Sequence, residues 1–256
     1  MLHDFRNRPL DMQDEIVARL AQRLKTELVT AEALRAERAP FPDSMDLYFQ
    51  GKASANKGMT PENMAQAHGY FQHALALDPG NIEALVGIAS VDFVSVGTFL
   101  SDDRPARAAA AEAVLTKVLS LAPNHAVAQY LLGGCIYTNR APEGIAKCEH
   151  ALALDRNMAA AHSLIGLAKL FTRRAQETES HVLEALRLSP RDTQAYIWMA
   201  IAGAAKLYLG RDEEAVAWFR RAIETNRNIP VAVQCERKFA LGNAFRGAVG
   251  GDIDTT

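Results

Sequence analysis

Five segments of the chain share one pattern: an amphipathic run, an Ala-Leu or similar pair, one more apolar residue, then a polar turn. The clearest copies are YFQHALALDPGN from Tyr70, KCEHALALDRNM from Lys147 and HVLEALRLSPRD from His181. Looser copies are VLTKVLSLAPNH from Val114 and WFRRAIETNRNI from Trp218. Their turn residues, Pro79, Pro123, Arg156, Pro190 and Arg227, are 44, 33, 34 and 37 positions apart. Proline ends a helix, because it has no N–H to donate and pushes the preceding residue out of the helical region. Each period therefore predicts a helix-turn-helix hairpin, and the fold class is all-α. One hairpin cannot bury its own apolar face, so successive hairpins have to stack to make a core.

The pattern resembles the tetratricopeptide repeat, a 34-residue unit with a large-small pair in its first helix and Ala, an aromatic, Ala and Pro in or after its second. In the first copy Ala67, Phe71, Ala74 and Pro79 fit the second-helix positions; in the last, Ala215, Phe219 and Ala222 fit them, with Arg227 in the proline place. The first-helix pair matches Ile88-Ala89, Leu132-Gly133, Ile165-Gly166 and Met199-Ala200. The resemblance covers roughly residues 43–226. It implies a right-handed α-α superhelix of about five repeats, with an additional N-terminal helix and a C-terminal capping helix. The small residues let backbones approach closely, so a bulkier residue at Gly133, Gly166 or Ala185 is expected to overpack the core.

The resulting division is an N-terminal amphipathic helix and linker at 1–41, the repeat array at 42–227, a capping helix at 228–249 and a disordered tail at 250–256. Between Asp11 and Arg38 the apolar residues Val17, Leu20, Leu24, Leu28, Ala31 and Leu34 recur close to helical spacing, predicting a stripe that has to lie on something. It could occupy the inner groove of the array or stack on the first hairpin as a cap. APFPDS then breaks the helix. The stretch DLYFQG at 46–51 matches the tail of a protease-cleavage tag. Yet Leu47, Tyr48 and Gly51 fall on one helical face, where the first repeat needs its first helix, so a native segment is expected. The second repeat carries about ten extra residues around DFVSVGTFLSDDRPARA, a longer helix or a loop, with Asp103 expected as a cap before Pro105. The N-terminal helix followed by the array also resembles the C-terminal repeat region of alphaproteobacterial adenylate cyclase-like signalling proteins. That resemblance implies a regulatory or assembly region of a nucleotide-cyclase-like or transcriptional signalling protein, an alternative to a free-standing adaptor.

Nothing in the sequence matches a phosphate loop, an H-E-x-x-H or C-x-x-C pair, or a G-x-S-x-G elbow, so no catalysis, cofactor or metal is expected. Asp212-Glu213-Glu214 reads as favourable charge at a helix start, and Cys135, Cys148 and Cys235 as reduced core thiols. A net charge of -2 gives no reason to expect nucleic acid or an anionic membrane surface. With no run of about eighteen apolar residues and no apolar leader, a cytoplasmic location is the expectation. What remains is a surface for a protein or peptide partner, with self-association also possible. The resemblance implies a concave groove lined by first-helix residues: Tyr48, Lys52, Glu83, Val86, Ser90 and Phe93, then Tyr130 and Tyr137, then Ser163, Leu167 and Leu170, then Gln194, Ile197 and Ile201. Such a groove is apolar and aromatic with little charge. It suits an amphipathic helix and lacks the Lys, Asn and Arg set that clamps carboxylates in some members of the family.

Overall fold

Proline and short polar residues set the helix boundaries. The computed structural model describes residues 8–97 and 103–226, so the expected capping helix at 228–249, the tail at 250–256 and Cys235 lie outside it. Among the described residues there are eleven α-helices and no strand. A long helix, α1 (Arg8–Glu37), precedes α2 (Ser44–Asn56), α3 (Pro61–Leu77), α4 (Ile82–Gly97), α5 (Arg104–Leu121) and α6 (Ala126–Ile136). Then follow α7 (Ala141–Leu154), α8 (Ala159–Phe171), a single 3-10 turn at Ala175–Glu177, α9 (Thr178–Leu188), α10 (Ala195–Tyr208) and α11 (Asp212–Thr225). From α2 onward the helices alternate as first and second members of five repeats.

The caps are local. Asp43 accepts from the Asp46 N–H while the Asp46 carboxylate accepts from the Asp43 N–H, a reciprocal box that starts α2. Thr60 caps α3 ahead of Pro61. Asn81, buried, accepts from the Ala84 N–H at the start of α4 and donates to Ser44 Oγ, tying two turns together. Pro105 stands in the first turn of α5 as expected, but the Asp103 side chain makes no capping bond. Part of the extra length of the second repeat goes into α4, which runs to Gly97.

The chain divides into two compact units, residues 1–136 and 137–256. In the first, α2 packs on α3, α3 on α4, α4 on α5, and α6 on both α4 and α5. Phe71 centres one cluster, with Met64, Ala67 and Val91. Ala111, Leu115, Val118, Leu131 and Ile136 form another. In the second unit α7 packs on α8, α8 on α9, α9 on α10 and α10 on α11, around Val182, Ala185, Leu188, Trp198 and Trp218.

Three sequence expectations need correction or completion. First, the small first-helix position of the fifth repeat is Gly203 rather than Ala200; in the second repeat Ala89 is buried against α5 as expected, and Gly87 beside it makes room for Phe71 of the repeat before. A Cβ added to Gly87 would lie 2.7 Å from the Phe71 ring, and one on Gly203 2.8 Å from the Phe219 ring. A large-small pair can be found at several offsets in an Ala-rich helix, and only the partner ring picks the register. Gly166 stands where expected, with an added Cβ 3.1 Å from the Thr178 carbonyl oxygen. Second, DLYFQG lies inside α2: Tyr48 packs on Phe71 with ring centroids 6.1 Å apart, and an added Cβ on Gly51 would lie 2.6 Å from the same ring. Third, α1 stacks on the first hairpin, the second of the two expected arrangements, but through a face other than the stripe. Val29, Ala33 and Ala36 form the buried face, against α2, whereas Val17, Leu20, Leu24, Leu28 and Leu34 are exposed. Arg35 secures the junction by donating to Asp46 Oδ1 at 2.6 Å.

Candidate functional site

In the first unit, α2 neighbours α4 and α4 neighbours α6, so first helices of successive repeats form one layer. Its side chains include a polar bridge across all three. Tyr48 on α2 donates to Glu83 Oε2 on α4 at 3.3 Å, and Glu83 Oε1 lies 3.1 Å from His125 Nε2. His125 precedes α6, and its Nδ1 accepts from the Ala128 N–H at 3.1 Å. Nδ1 is therefore the unprotonated nitrogen and Nε2 carries the proton donated to Glu83. That bond, with the Tyr48 bond and the Lys52 charge, holds Glu83 below the usual carboxylate range despite the opposing effect of burial. Tyr48 is pushed up, mainly by burial and then by Glu83.

Lys52 lies one helical turn after Tyr48 and is half-buried. Burial pulls its ammonium below the ordinary lysine value, and the charge of Lys25 on α1 adds to that, while Glu83 works against it. Phe93 and Tyr130 meet edge to face with centroids 6.0 Å apart, both partly accessible, and Ser90 is half-buried on the same helix as Phe93. Val86 is in the core instead. The first unit thus presents an aromatic surface with a charged bridge at one side, where the sequence suggested little charge.

In the second unit, Tyr137 packs edge to face on Phe171, with centroids 5.2 Å apart. Leu167, Gln194 and Ile197 are partly accessible, while Ser163, Leu170 and Ile201 are buried between helices. The inward-facing period of a helix marks core and groove alike, so sequence could not separate these three and Val86 from residues a partner can reach.

Charged groups also organise this unit, among them Lys206 and Glu179, which the sequence did not single out. Buried Lys206 on α10 donates to Glu179 Oε2 at 2.7 Å and lies 2.8 Å from Glu214 Oε2, and Glu179 also accepts from Trp218 Nε1 at 3.0 Å. Burial pulls Lys206 down, but its bonds to Glu179 and Glu214 outweigh that and leave it raised. Glu214 thus does more than favour the helix start: it closes a charge network with Lys206 and Arg211. Lys169 and Glu177 make the equivalent pair in the preceding repeat at 3.0 Å. His162 and His181, on α8 and α9, lie with ring centroids 6.0 Å apart and planes tilted by 34°, and His162 Nδ1 is buried with no hydrogen-bond partner among the described residues. Burial pushes the thiols of Cys135 and Cys148 up to about 12, which fits inert core cysteines.

The chain matches the tetratricopeptide repeat family over residues 195–229. A thermophilic tetratricopeptide repeat protein of Thermus thermophilus has a similar structure: TM-score 0.56, 16% identity, covering 80% of this chain and 98% of that one. The APC/C hetero-tetramer Cut9-Hcn1 gives TM-score 0.54 at 14% identity, covering 84% of this chain and 46% of that one. No curated protein sequence matches. At these identities the likeness establishes the fold, a tetratricopeptide-type helical solenoid.

Proposed function

We propose that this solenoid is a non-catalytic interaction scaffold whose partner, a peptide or helix, docks on the layer formed by the first helices of the repeats. The observation that carries the reading is the layer of α2, α4 and α6, where Tyr48, Ser90, Phe93 and Tyr130 remain partly accessible beside Lys52 and the Glu83–His125 bridge. Partly exposed aromatics with a few fixed polar groups suit a protein partner: rings supply contact area at low entropic cost and polar groups fix register. Both nitrogens of His125 are engaged, one capping α6 and one donating to Glu83, so the imidazole serves as a strut rather than a base. In the second unit, taken by itself, Leu167, Gln194 and Ile197 are likewise partly accessible.

The test is affinity capture from lysate followed by mass spectrometry, comparing the parent with a Lys52→Glu, Tyr130→Ala variant. A protein held by the parent and lost from a variant that melts at the parent's temperature supports the reading. Identical capture by both would place any interaction elsewhere.

A further inference from the structure

The long helix α1 is held to the array by one narrow face. Val29, Ala33 and Ala36 are buried against α2, and Arg35 bonds Asp46 across the junction. On a different face Val17, Leu20, Leu24, Leu28 and Leu34 keep between 49% and 68% of their surface exposed. At 100° per residue these five fall in one band, centred about 160° around the helix from the buried residues. The band runs about 26 Å along the axis. An apolar stripe of that size, carried by a helix already anchored by another face, marks an interaction surface.

The stripe itself indicates what covers it. Its order is palindromic to within about one position: reversing the helix brings Val17 opposite Leu34, Leu20 opposite Ala31 and Leu24 opposite Leu28. That is the condition for an isologous contact, in which residue i meets j and j meets i. The charges beside the stripe reverse in the same way. Arg23 and Glu27, which pair weakly within the helix at 4.0 Å, exchange places to within one position on the same reversal, so each arginine of one copy stands close to a glutamate of the other. The described charges along this helix and just beyond it are of both signs and close to balance, Arg23, Lys25, Arg35 and Arg38 against Glu27, Glu32 and Glu37, which disfavours an anionic lipid surface. The apolar area available is on the order of 800 Å2 over two copies, and flanking side chains bring it to the roughly 1,000 Å2 that a specific interface needs.

We propose that α1 is a dimerisation element: two copies of this chain pair through antiparallel α1 helices, Leu24 against Leu28 near the dyad. The arrays then sit on the outer sides of the helix pair, leaving the layer of α2, α4 and α6 to a separate partner. Self-association and partner capture are therefore separable.

The experiment is sedimentation equilibrium of the full chain across about 1–100 μM, a range in which specific dimers of this interface size assemble. The parent is expected to dimerise reversibly, and Leu24→Glu, Leu28→Glu to weaken association at least tenfold while keeping the parent's melting temperature, since both side chains are exposed. Arg23→Glu and Glu27→Arg are each expected to weaken it alone. Mixed together, the two single variants should recover a heterodimer, which a change confined within one helix cannot explain. A parent that stays monomeric at the top of the range overturns the proposal. So does a dimer that survives the double leucine substitution, or a mixture no stronger than its components.

Discussion

Phe71 shows how a single residue sets the register of a repeat. Its ring is almost wholly buried, between the backbones of α2 and α4, and Gly51 and Gly87 are the residues that leave room for it. The ring cannot retreat, so Gly87→Ala should cost about 1–3 kcal/mol through overpacking. Gly69, in α3, has nothing within 4 Å of an added Cβ, so Gly69→Ala should stabilise by about 0.5–1 kcal/mol through the backbone alone. Thermal melts of the two variants, moving in opposite directions, check the assignment. The aromatic at Phe71 was legible in the sequence from its spacing to Ala67 and Ala74. The glycine facing it was not, because Gly87 and Ala89 are both small and stand close together in an apolar helix, and only the position of the ring distinguishes them.

Helix starts and ends follow from local chemistry, and the elements were accordingly legible: Thr60-Pro61, Asp43 with Asp46, and Asn81 each begin a helix by bonding within three residues. Contacts between elements were not. The Glu83–His125 bridge and the Trp218–Glu179 bond each join residues about forty positions apart, with no local periodicity to reveal them. The α8–α9 pair carries a pH response of this kind. Burial holds both His162 and His181 below the ordinary value of 6.5, with Arg187 acting in the same direction on His162 and His162, Lys169 and Arg174 on His181, against Glu184 and Glu177 respectively. A histidine whose folded value is depressed binds fewer protons folded than unfolded, so stability is full above about pH 6.5 and falls as pH drops toward the folded values. Chemical denaturation between about pH 7.5 and 5.5 should show this loss, over a range in which paired carboxylates such as Glu179 remain ionised. His162→Leu should flatten the profile; an unchanged slope would mean the pair does not titrate in that window.

At the scale of the whole molecule, each unit has its own buried clusters, and stability in such arrays is a sum of repeats and nearest-neighbour contacts. Leu115, fully buried in the first unit, should cost about 2–5 kcal/mol on truncation to Ala. Both tryptophans, Trp198 and Trp218, are in the second unit. The far-UV dichroism melt of Leu115→Ala should therefore move further than its tryptophan-emission melt, and equal shifts would mean that one cooperative transition spans the chain. The sequence by itself determined the all-α class, the five-fold periodicity and the membership of DLYFQG in the first repeat, because repeated turns and 3.6-residue stripes are local and recur. Tertiary structure alone decided which face of α1 is buried, which inward residues are core rather than surface, and which distant charges meet. An apolar stripe records only that a helix has a partner, and the partner's identity lies in the geometry of the neighbouring chain.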